Sequence, residues 1–224
     1  MDRTSTPRRF LMCRPTHFTV SYEINPWMNR AIHTDTALAL HQWHELYRTY
    51  LDWGHTVALI EPIPGLPDMV YAANGATVVD GLVYSARFRY AERQPEGPAY
   101  QKWFADQGFV THTAEQVNEG EGDILMVGDV LLAGSGFRTD AAAHRELAEL
   151  TGREVVTLEL VNPHFYHLDT ALAVLDADPA RPLIAYHEPA FSPASRAVLA
   201  ERYPDAILVG ASDAAHLGLN AVDR

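Results

Sequence analysis

The sequence predicts an α/β fold built from a repeated unit of strand, strand, helix and strand. A polar residue, an apolar strand, a turn acid and a second apolar strand recur along the chain, and an amphipathic helix follows them. The polar starts Asn74, Asp123, Asp169 and Asn220 lie 49, 46 and 51 residues apart. Asp-Gly and Gly-Asp hairpins argue against an ordinary doubly wound parallel sheet, because parallel strands need long crossovers.

The units follow one another in order. The first runs from RRFLMCRPTHF through DTALALHQWHELYRTYLDWG to HTVALIEP. The second opens with NGATVVDGLVYSA, in which Asp80 and Gly81 form the strongest short hairpin signal of the chain. The third and fourth open with DILMVGDVLLAGS and DTALAVLDADPARPLIAYH, whose turn acids are Asp129 and Asp176. We expect these four units to be complete and Asn220 to open a truncated fifth.

Capping signals mark the ends of the helices. The N-cap candidates are Thr34 or Asp35, then Thr139, then Ser192 with Pro193 at the first helical position. Three helices end at a glycine that leads into a strand: Gly54, Gly108 and Gly152. A closed ring of such units would bring the polar starts around one axis. If His167 and Asp169 begin the strand of the fourth unit, their side chains leave the same face.

The composition restricts the class of protein. A chain of 224 residues that is 47% apolar can bury one substantial core. Its 17 basic and 29 acidic residues give a net charge of −12, which disfavours nucleic acids and membrane surfaces and suits a small cationic ligand. The single cysteine, Cys13, cannot form an intrachain disulfide, and the N-terminal region lacks the apolar stretch of a signal peptide. We therefore expect a soluble cytoplasmic protein; its oligomeric state stays open, a homo-oligomer included.

Several motifs occur together in one order: MCRPTHFTVSYEINPWMNR, VYAANGATVVDGLVYSARFR, EGEGD, GSGFRTD and NPHFYHLDTALAVLD. Together they resemble the guanidine-modifying enzymes of the pentein superfamily, and the dimethylarginine dimethylaminohydrolase-like and arginine dihydrolase-like members most closely. The resemblance covers nearly the whole chain. It implies a five-bladed propeller of ββαβ units around a polar core, without metal or organic cofactor. It also implies hydrolysis at the guanidinium carbon of free arginine or an N-methylated arginine.

The resemblance assigns roles to individual residues. His167 in FYHLDT matches the catalytic histidine, which protonates the departing amine and then activates water. Glu119 is the carboxylate that we expect to face it, although EGEGD has one residue more than the commoner EGGD pattern. Asp123 and Asp169 match carboxylates that bind the guanidinium, a planar cation suited to bidentate contacts.

Two further pairs follow from the same resemblance. Arg87 and Arg138 match positions that bind the substrate α-carboxylate, for which the arginine fork is well shaped. Asn25 and Asn74 match the pair that marks the arginine dihydrolase-like branch, whose product is ornithine rather than citrulline. Taken alone, each of these residues would read as a surface arginine or a turn asparagine.

A metal site is the weaker alternative. His41 and His44, and again His164 and His167, are three residues apart, but neither pair has the acid of an H-E-x-x-H motif. We therefore predict no metal.

The nucleophile is the missing part of the pattern. Relatives attack with a cysteine thiolate near their C-terminus, whereas Arg224 ends this sequence and Cys13 lies in the first strand. A lone cysteine with apolar neighbours behaves as a small buried hydrophobe. We expect residues 1–224 to be a single enzyme domain that lacks its C-terminal segment and is inactive as given. The alternative is a pseudoenzyme or binding module that recognises a guanidino amino acid without turnover.

Overall fold

The computed structural model describes residues 7–222, whose strands form four separate sheets. The first unit contains β1 (Arg9–Cys13), α1 (Thr36–Asp52) and β2 (Thr56–Ile60), with β1 and β2 parallel. Within residues 7–222, β1 has no antiparallel partner. The expectation of a complete first unit is therefore wrong. Residues 14–35, which connect β1 to α1, contain one 3₁₀ turn (Pro15–His17) and no strand that could pair with β1.

The second and third units each have a three-stranded sheet with the expected order. In both, an antiparallel hairpin is followed by a helix and by a third strand that is parallel to the second. The second unit contains β3 (Ala76–Val79), β4 (Leu82–Ser85), α2 (Glu96–Asp106) and β5 (Val110–His112). The third contains β6 (Ile124–Val127), β7 (Val130–Ser135), α3 (Ala141–Thr151) and β8 (Glu154–Glu159).

The fourth unit repeats this arrangement and adds a short helix at each end. Its elements are α4 (Leu168–Ala171), β9 (Leu172–Asp176), β10 (Leu183–Tyr186), α5 (Pro193–Arg202), β11 (Ile207–Leu208) and α6 (Ala211–Ala214). Asn220 is exposed and lies in no strand, and its amide donates to the carbonyl of Asp169 at 3.5 Å. The mixed α/β class predicted from the sequence is thus confirmed, and residues 7–222 contain three complete units rather than four.

Local sequence predicted most turns and caps correctly. Asp80 and Gly81 have φ of 50° and 83°, as a type I′ hairpin requires. Asp35 caps α1 by accepting from the amide of Leu38, and Ser192 caps α5. The expected cap at Thr139 is wrong. Asp140 is the N-cap residue of α3, and the Thr139 hydroxyl instead donates to Asp123 at 2.6 Å.

The expectation that His167 and Asp169 begin a strand is also wrong. Leu168–Ala171 form one helical turn, and β9 begins only at Leu172. The turn is stabilised because the Leu168 amide donates to Asp123 at 3.0 Å and the Thr170 hydroxyl donates to the His167 carbonyl at 2.7 Å. The polar residues of the second and third units likewise lie in or next to short 3₁₀ turns before their strands.

Apolar side chains of neighbouring units interlock to form the core. The largest cluster joins the third and fourth units and includes Leu132, Leu158, Leu172 and Ile184, all fully buried. A second cluster joins the second and third units through Tyr84, Leu131 and Leu147. This packing fixes the turns before β3, β6 and β9 relative to one another. None of the helices described between residues 7 and 222 is both long enough and apolar enough to cross a membrane.

Candidate active site

His167 lies at the centre of the cluster of polar turns. It precedes α4, and the residue is 4% exposed. Its Nδ1 atom lies 3.2 Å from Oδ1 of Asp123, and its Nε2 atom lies 3.4 Å from Oε2 of Glu119. Nδ2 of Asn74 also lies 3.4 Å from Nε2. The second, third and fourth units therefore meet at one imidazole.

The carboxylates favour the charged form of this histidine. Burial alone would lower the pKa of His167, but Asp123 and Glu119 outweigh burial and raise that pKa to about 9. Burial likewise acts to raise the pKa of Glu119. Its contacts with His167, Arg138 and Arg93 prevail, and they lower this pKa to about 2. These shifts favour an imidazolium beside an ionised Glu119 at neutral pH.

The structure places Glu119, rather than Glu121, against the histidine. The Glu119 amide donates to the Thr139 hydroxyl at 3.1 Å, which fixes the turn on the inside of the site. Glu121 is exposed, and its carboxylate accepts from the Val78 amide at 3.2 Å. Gly122, the residue after Glu121, lies against Asn74, where an added Cβ would meet Nδ2 at 2.1 Å. The extra residue of EGEGD thus points outwards.

Two buried arginines belong to the cluster. Arg138 donates to Glu119 at 2.8 Å and to the Ile24 carbonyl at 3.1 Å. Its guanidinium lies between the rings of Tyr90 and Tyr166, 4.8 and 4.7 Å from their centroids. Arg93 is 3% exposed and donates to Asn74 at 3.2 Å.

Arg87 is placed elsewhere. Its side chain is exposed and donates to the carbonyl of Glu115 at 2.8 Å. The geometry therefore does not support Arg87 as a ligand of the same molecule that His167 and Arg138 face. Arg93 is the second guanidinium of the site, and sequence reasoning missed it. The i, i+3 spacing of Arg93 and Glu96 was its only local signal.

Asn25 lies beside the cluster without joining it through its side chain. Its amide oxygen accepts from the backbone of Trp27 at 2.9 Å within its own turn. The neighbouring Ile24 carbonyl holds Arg138, and the Trp27 indole donates to the His164 carbonyl at 2.8 Å. The segment 24–27 therefore covers the arginine and contacts the fourth unit.

Several buried carboxylate oxygens have no hydrogen-bond donor within residues 7–222. These are Oδ1 of Asp68, Oε1 of Glu119 and Oδ1 of Asp169. Burial raises the pKa of Asp68, and it raises that of Asp169 to about 7 against the opposing charge of His167. Buried acceptors without donors are costly, so this arrangement fits a ligand that supplies several N–H groups and a positive charge. Sequence reasoning missed Asp68, because LPDM reads as an ordinary turn.

Cys13 lies away from this arrangement. It is fully buried with Ile60, Met69 and Tyr100. Burial raises the pKa of its thiol to about 12, so it is protonated and unreactive at neutral pH. No group of three or more His, Cys, Asp or Glu side chains in the described part of the chain is arranged to hold a metal ion.

Comparisons with known proteins place this site in a family. A scan against protein-family models found no match. The chain is 53% identical over 220 residues to the N(G),N(G)-dimethylarginine dimethylaminohydrolase of Mycobacterium tuberculosis, covering 98% of this chain and 72% of that protein. The chain belongs to the dimethylarginine dimethylaminohydrolase-like, guanidine-modifying enzymes. The resemblance seen in the sequence motifs is thereby confirmed.

A second relative connects the family to arginine dihydrolases. The chain is 38% identical over 222 residues to the bifunctional arginine dihydrolase/ornithine cyclodeaminase ArgZ of Synechocystis, covering 96% of this chain and 31% of that protein. A crystal structure of the N-terminal domain of ArgZ, a cysteine-to-serine mutant bound to its substrate, superposes with a TM-score of 0.90 at 38% identity. That match covers 96% of this chain and 80% of the solved domain.

Proposed function

We propose that this site binds the guanidinium group of free arginine or an N-methylated arginine. The observation that supports this most is the set of buried carboxylate oxygens without donors, on Asp68, Glu119 and Asp169. A guanidinium carries five N–H donors in arginine's planar fork and pairs with carboxylates bidentately. The net charge of −12 also favours the approach of a cation.

Two groups of charged residues give the proposed ligand an orientation. Arg138 is the cation that we assign to the α-carboxylate, with the buried guanidinium of Arg93 close by. His167 and its partners Glu119 and Asp123 then face the guanidinium. We also propose that the units surround this centre as a propeller, since the turns of three units converge on His167.

In the reaction that we propose for the family's site, His167 acts first as the general acid and then as the general base. A thiolate attacks the guanidinium carbon, and His167 donates a proton to the departing amine as its C–N bond breaks. The neutral imidazole then takes a proton from water. The resulting hydroxide attacks the same carbon and breaks the C–S bond, which releases the ureido product and restores the thiolate. Hydrolysis thus needs a thiolate that Cys13, buried and protonated, does not supply.

Binding without turnover by this 224-residue chain is therefore the second candidate. Isothermal titration calorimetry with arginine, dimethylarginine and agmatine tests the proposed ligand, and assays for citrulline, ornithine and ammonia test turnover. Binding without product supports the binding candidate for this chain, whereas binding with product supports hydrolysis. If neither arginine nor dimethylarginine binds, the proposed site is wrong.

The Arg138→Lys variant tests the orientation of the ligand. Agmatine lacks the α-carboxylate of arginine, so the wild-type protein should prefer arginine, and the variant should lose roughly 10-fold or more of that preference. Arg89→Lys is the matched control, because Arg89 is solvent-exposed and pairs with Asp140. An unchanged ratio of the two dissociation constants in Arg138→Lys would contradict the assignment to the carboxylate.

A further inference from the structure

The side-chain amide of Asn74 has a fixed orientation in the site. Arg93 offers only N–H groups, so the amide oxygen of Asn74 must be the atom that accepts from Nη1 at 3.2 Å. The amide nitrogen consequently points the other way. Its N–H groups face the Glu119 carbonyl at 3.3 Å and Nε2 of His167 at 3.4 Å. Asn74 is therefore a donor towards the histidine.

Glu96 holds Arg93 in the position that this orientation requires. Its carboxylate accepts from Nε and Nη2 of Arg93 at 3.0 and 2.8 Å, and the side chain is fully buried at the start of α2. Nη2 also donates to the Asp68 carbonyl at 3.2 Å, which leaves Nη1 for Asn74. A bidentate buried pair of this kind fixes the plane of the guanidinium.

A donor at this place opposes a proton on Nε2. A protonated Nε2 would direct its N–H at the N–H of Asn74, whereas an unprotonated Nε2 accepts from it. Asp123, 3.2 Å from Nδ1, favours the proton on the other ring nitrogen. Glu119 at 3.4 Å favours a proton on Nε2. Four groups therefore determine the charge on His167. They are the carboxylates of Asp123, Glu119 and Asp169 and the side-chain amide of Asn74.

We propose that Glu96 and Arg93 are positioning residues that hold the Asn74 amide with its donor towards Nε2 of His167, and so make Nε2 a weaker base than the two carboxylates alone would make it. This inference rests on the proposed function for its purpose, since a proton acceptor must be regenerated before water can be activated. The orientation of the Asn74 amide does not depend on that function. It can be tested by measuring the protonation of His167 rather than turnover.

The test is an NMR titration of the His167 ring nitrogens in wild-type, Arg93→Lys and Glu96→Gln proteins. Arg93→Lys keeps the positive charge but removes the fork, so Asn74 can turn its oxygen to a protonated Nε2. The titration midpoint of His167 should then rise by up to about one pH unit, the size of one hydrogen bond gained by the charged form. The Asn74 side-chain amide resonances should shift as well.

Glu96→Gln separates this mechanism from simple charge effects. Loss of the Glu96 carboxylate by itself removes a negative charge and would lower the midpoint, whereas release of Arg93 and Asn74 should raise it. Arg89→Lys should change nothing, and the backbone amide spectra report whether each variant is folded. A lowered midpoint in Glu96→Gln, or an unchanged one in folded Arg93→Lys, would overturn the proposal. Failure to bind arginine with the predicted midpoints intact would contradict only the proposed function.

Discussion

At the scale of single residues, the chemistry of the site depends on what burial does to charges of the same sign. Asp123 and Glu119 lie against a protonated histidine, and the pKa of Glu119 stays near 2. Asp169 has weaker compensation, so burial raises its pKa to about 7. Asp169 therefore ionises near neutral pH, whereas Glu119 ionises far below it. The difference makes Asp169 the group whose ionisation a cationic ligand would change.

The affinity for arginine should consequently rise with pH as Asp169 ionises. Below a pH of about 7 the Asp169 carboxyl is neutral, and above it the carboxylate attracts the guanidinium. The dissociation constant should fall by at most about 10-fold per pH unit and level off above that pKa. His167, with a pKa of about 9, keeps its charge through this window. Calorimetric titrations with arginine across this pH range measure the effect.

Asp169→Asn should remove this pH dependence. The control is Asp205→Asn, which changes an exposed carboxylate in the loop before β11 and should retain the wild-type profile. A profile in Asp169→Asn that still follows the wild-type curve would mean that another group binds the cation.

At the scale of elements, local sequence predicted what local forces decide. The hairpin at Asp80 and Gly81 and the cap at Asp35 follow from turn geometry and short-range hydrogen bonds. The turn at His167 could not be predicted in this way, because it depends on a long-range hydrogen bond. The Leu168 amide donates to Asp123, which lies 45 residues earlier in the chain. Arg93 was missed for a similar reason. Nothing in its immediate sequence shows that Asn74 and Glu96 will enclose it.

His144 illustrates a long-range partner within one unit. It lies on α3, 3% exposed, where Nδ1 accepts from the Thr157 hydroxyl at 2.8 Å and Nε2 donates to the Gly134 carbonyl at 3.1 Å. Burial lowers the pKa of His144, against the opposing charges of Asp123 and Asp140. The folded protein therefore prefers the neutral ring, which joins α3 to β7 and β8.

This preference predicts a loss of stability in acid. An unfolded histidine titrates near 6.5, so below about pH 6.5 the unfolded chain binds a proton that the folded chain resists. The free energy of unfolding should fall as the pH drops from about 6.5 towards the lower folded pKa, and it should lack this contribution in His144→Gln. Urea denaturation at several pH values compares the two slopes. His41→Gln, at an exposed position of α1, should keep the wild-type slope, and equal slopes in all three proteins would refute the prediction.

At the scale of the whole molecule, neighbouring units are joined by a few side chains beside the apolar clusters. Arg153 connects two hairpins by donating to Asp80 at 2.6 Å and to Asp129 at 3.3 Å. Arg202 on α5 pairs with Glu154 at the start of β8. These contacts are on the surface, where ion pairs contribute little.

Glu146 makes a stronger connection between the second and third units. From α3 it accepts from the Tyr84 hydroxyl at 2.7 Å and from the amides of Glu115 and Gln116 at 2.8 and 3.0 Å. His112 lies 3.1 Å from the same carboxylate. The amides belong to the segment that leads to Glu119, so this contact reaches from a helix to the site.

Glu146→Ala should therefore destabilise the protein by about 2 kcal/mol, because it leaves the Tyr84 hydroxyl and two backbone amides without their acceptor. Arg153→Ala should cause no measurable change, since the two carboxylates that Arg153 pairs with are exposed. Glu149→Ala is the matched control, because Glu149 is exposed and lies on the same helix, three residues after Glu146. Urea denaturation of the three variants gives the free energies of unfolding. If Glu146→Ala unfolds at the same urea concentration as Glu149→Ala, the apolar clusters alone account for the joining of the units. If Arg153→Ala is the least stable variant, Arg153 is the more important link.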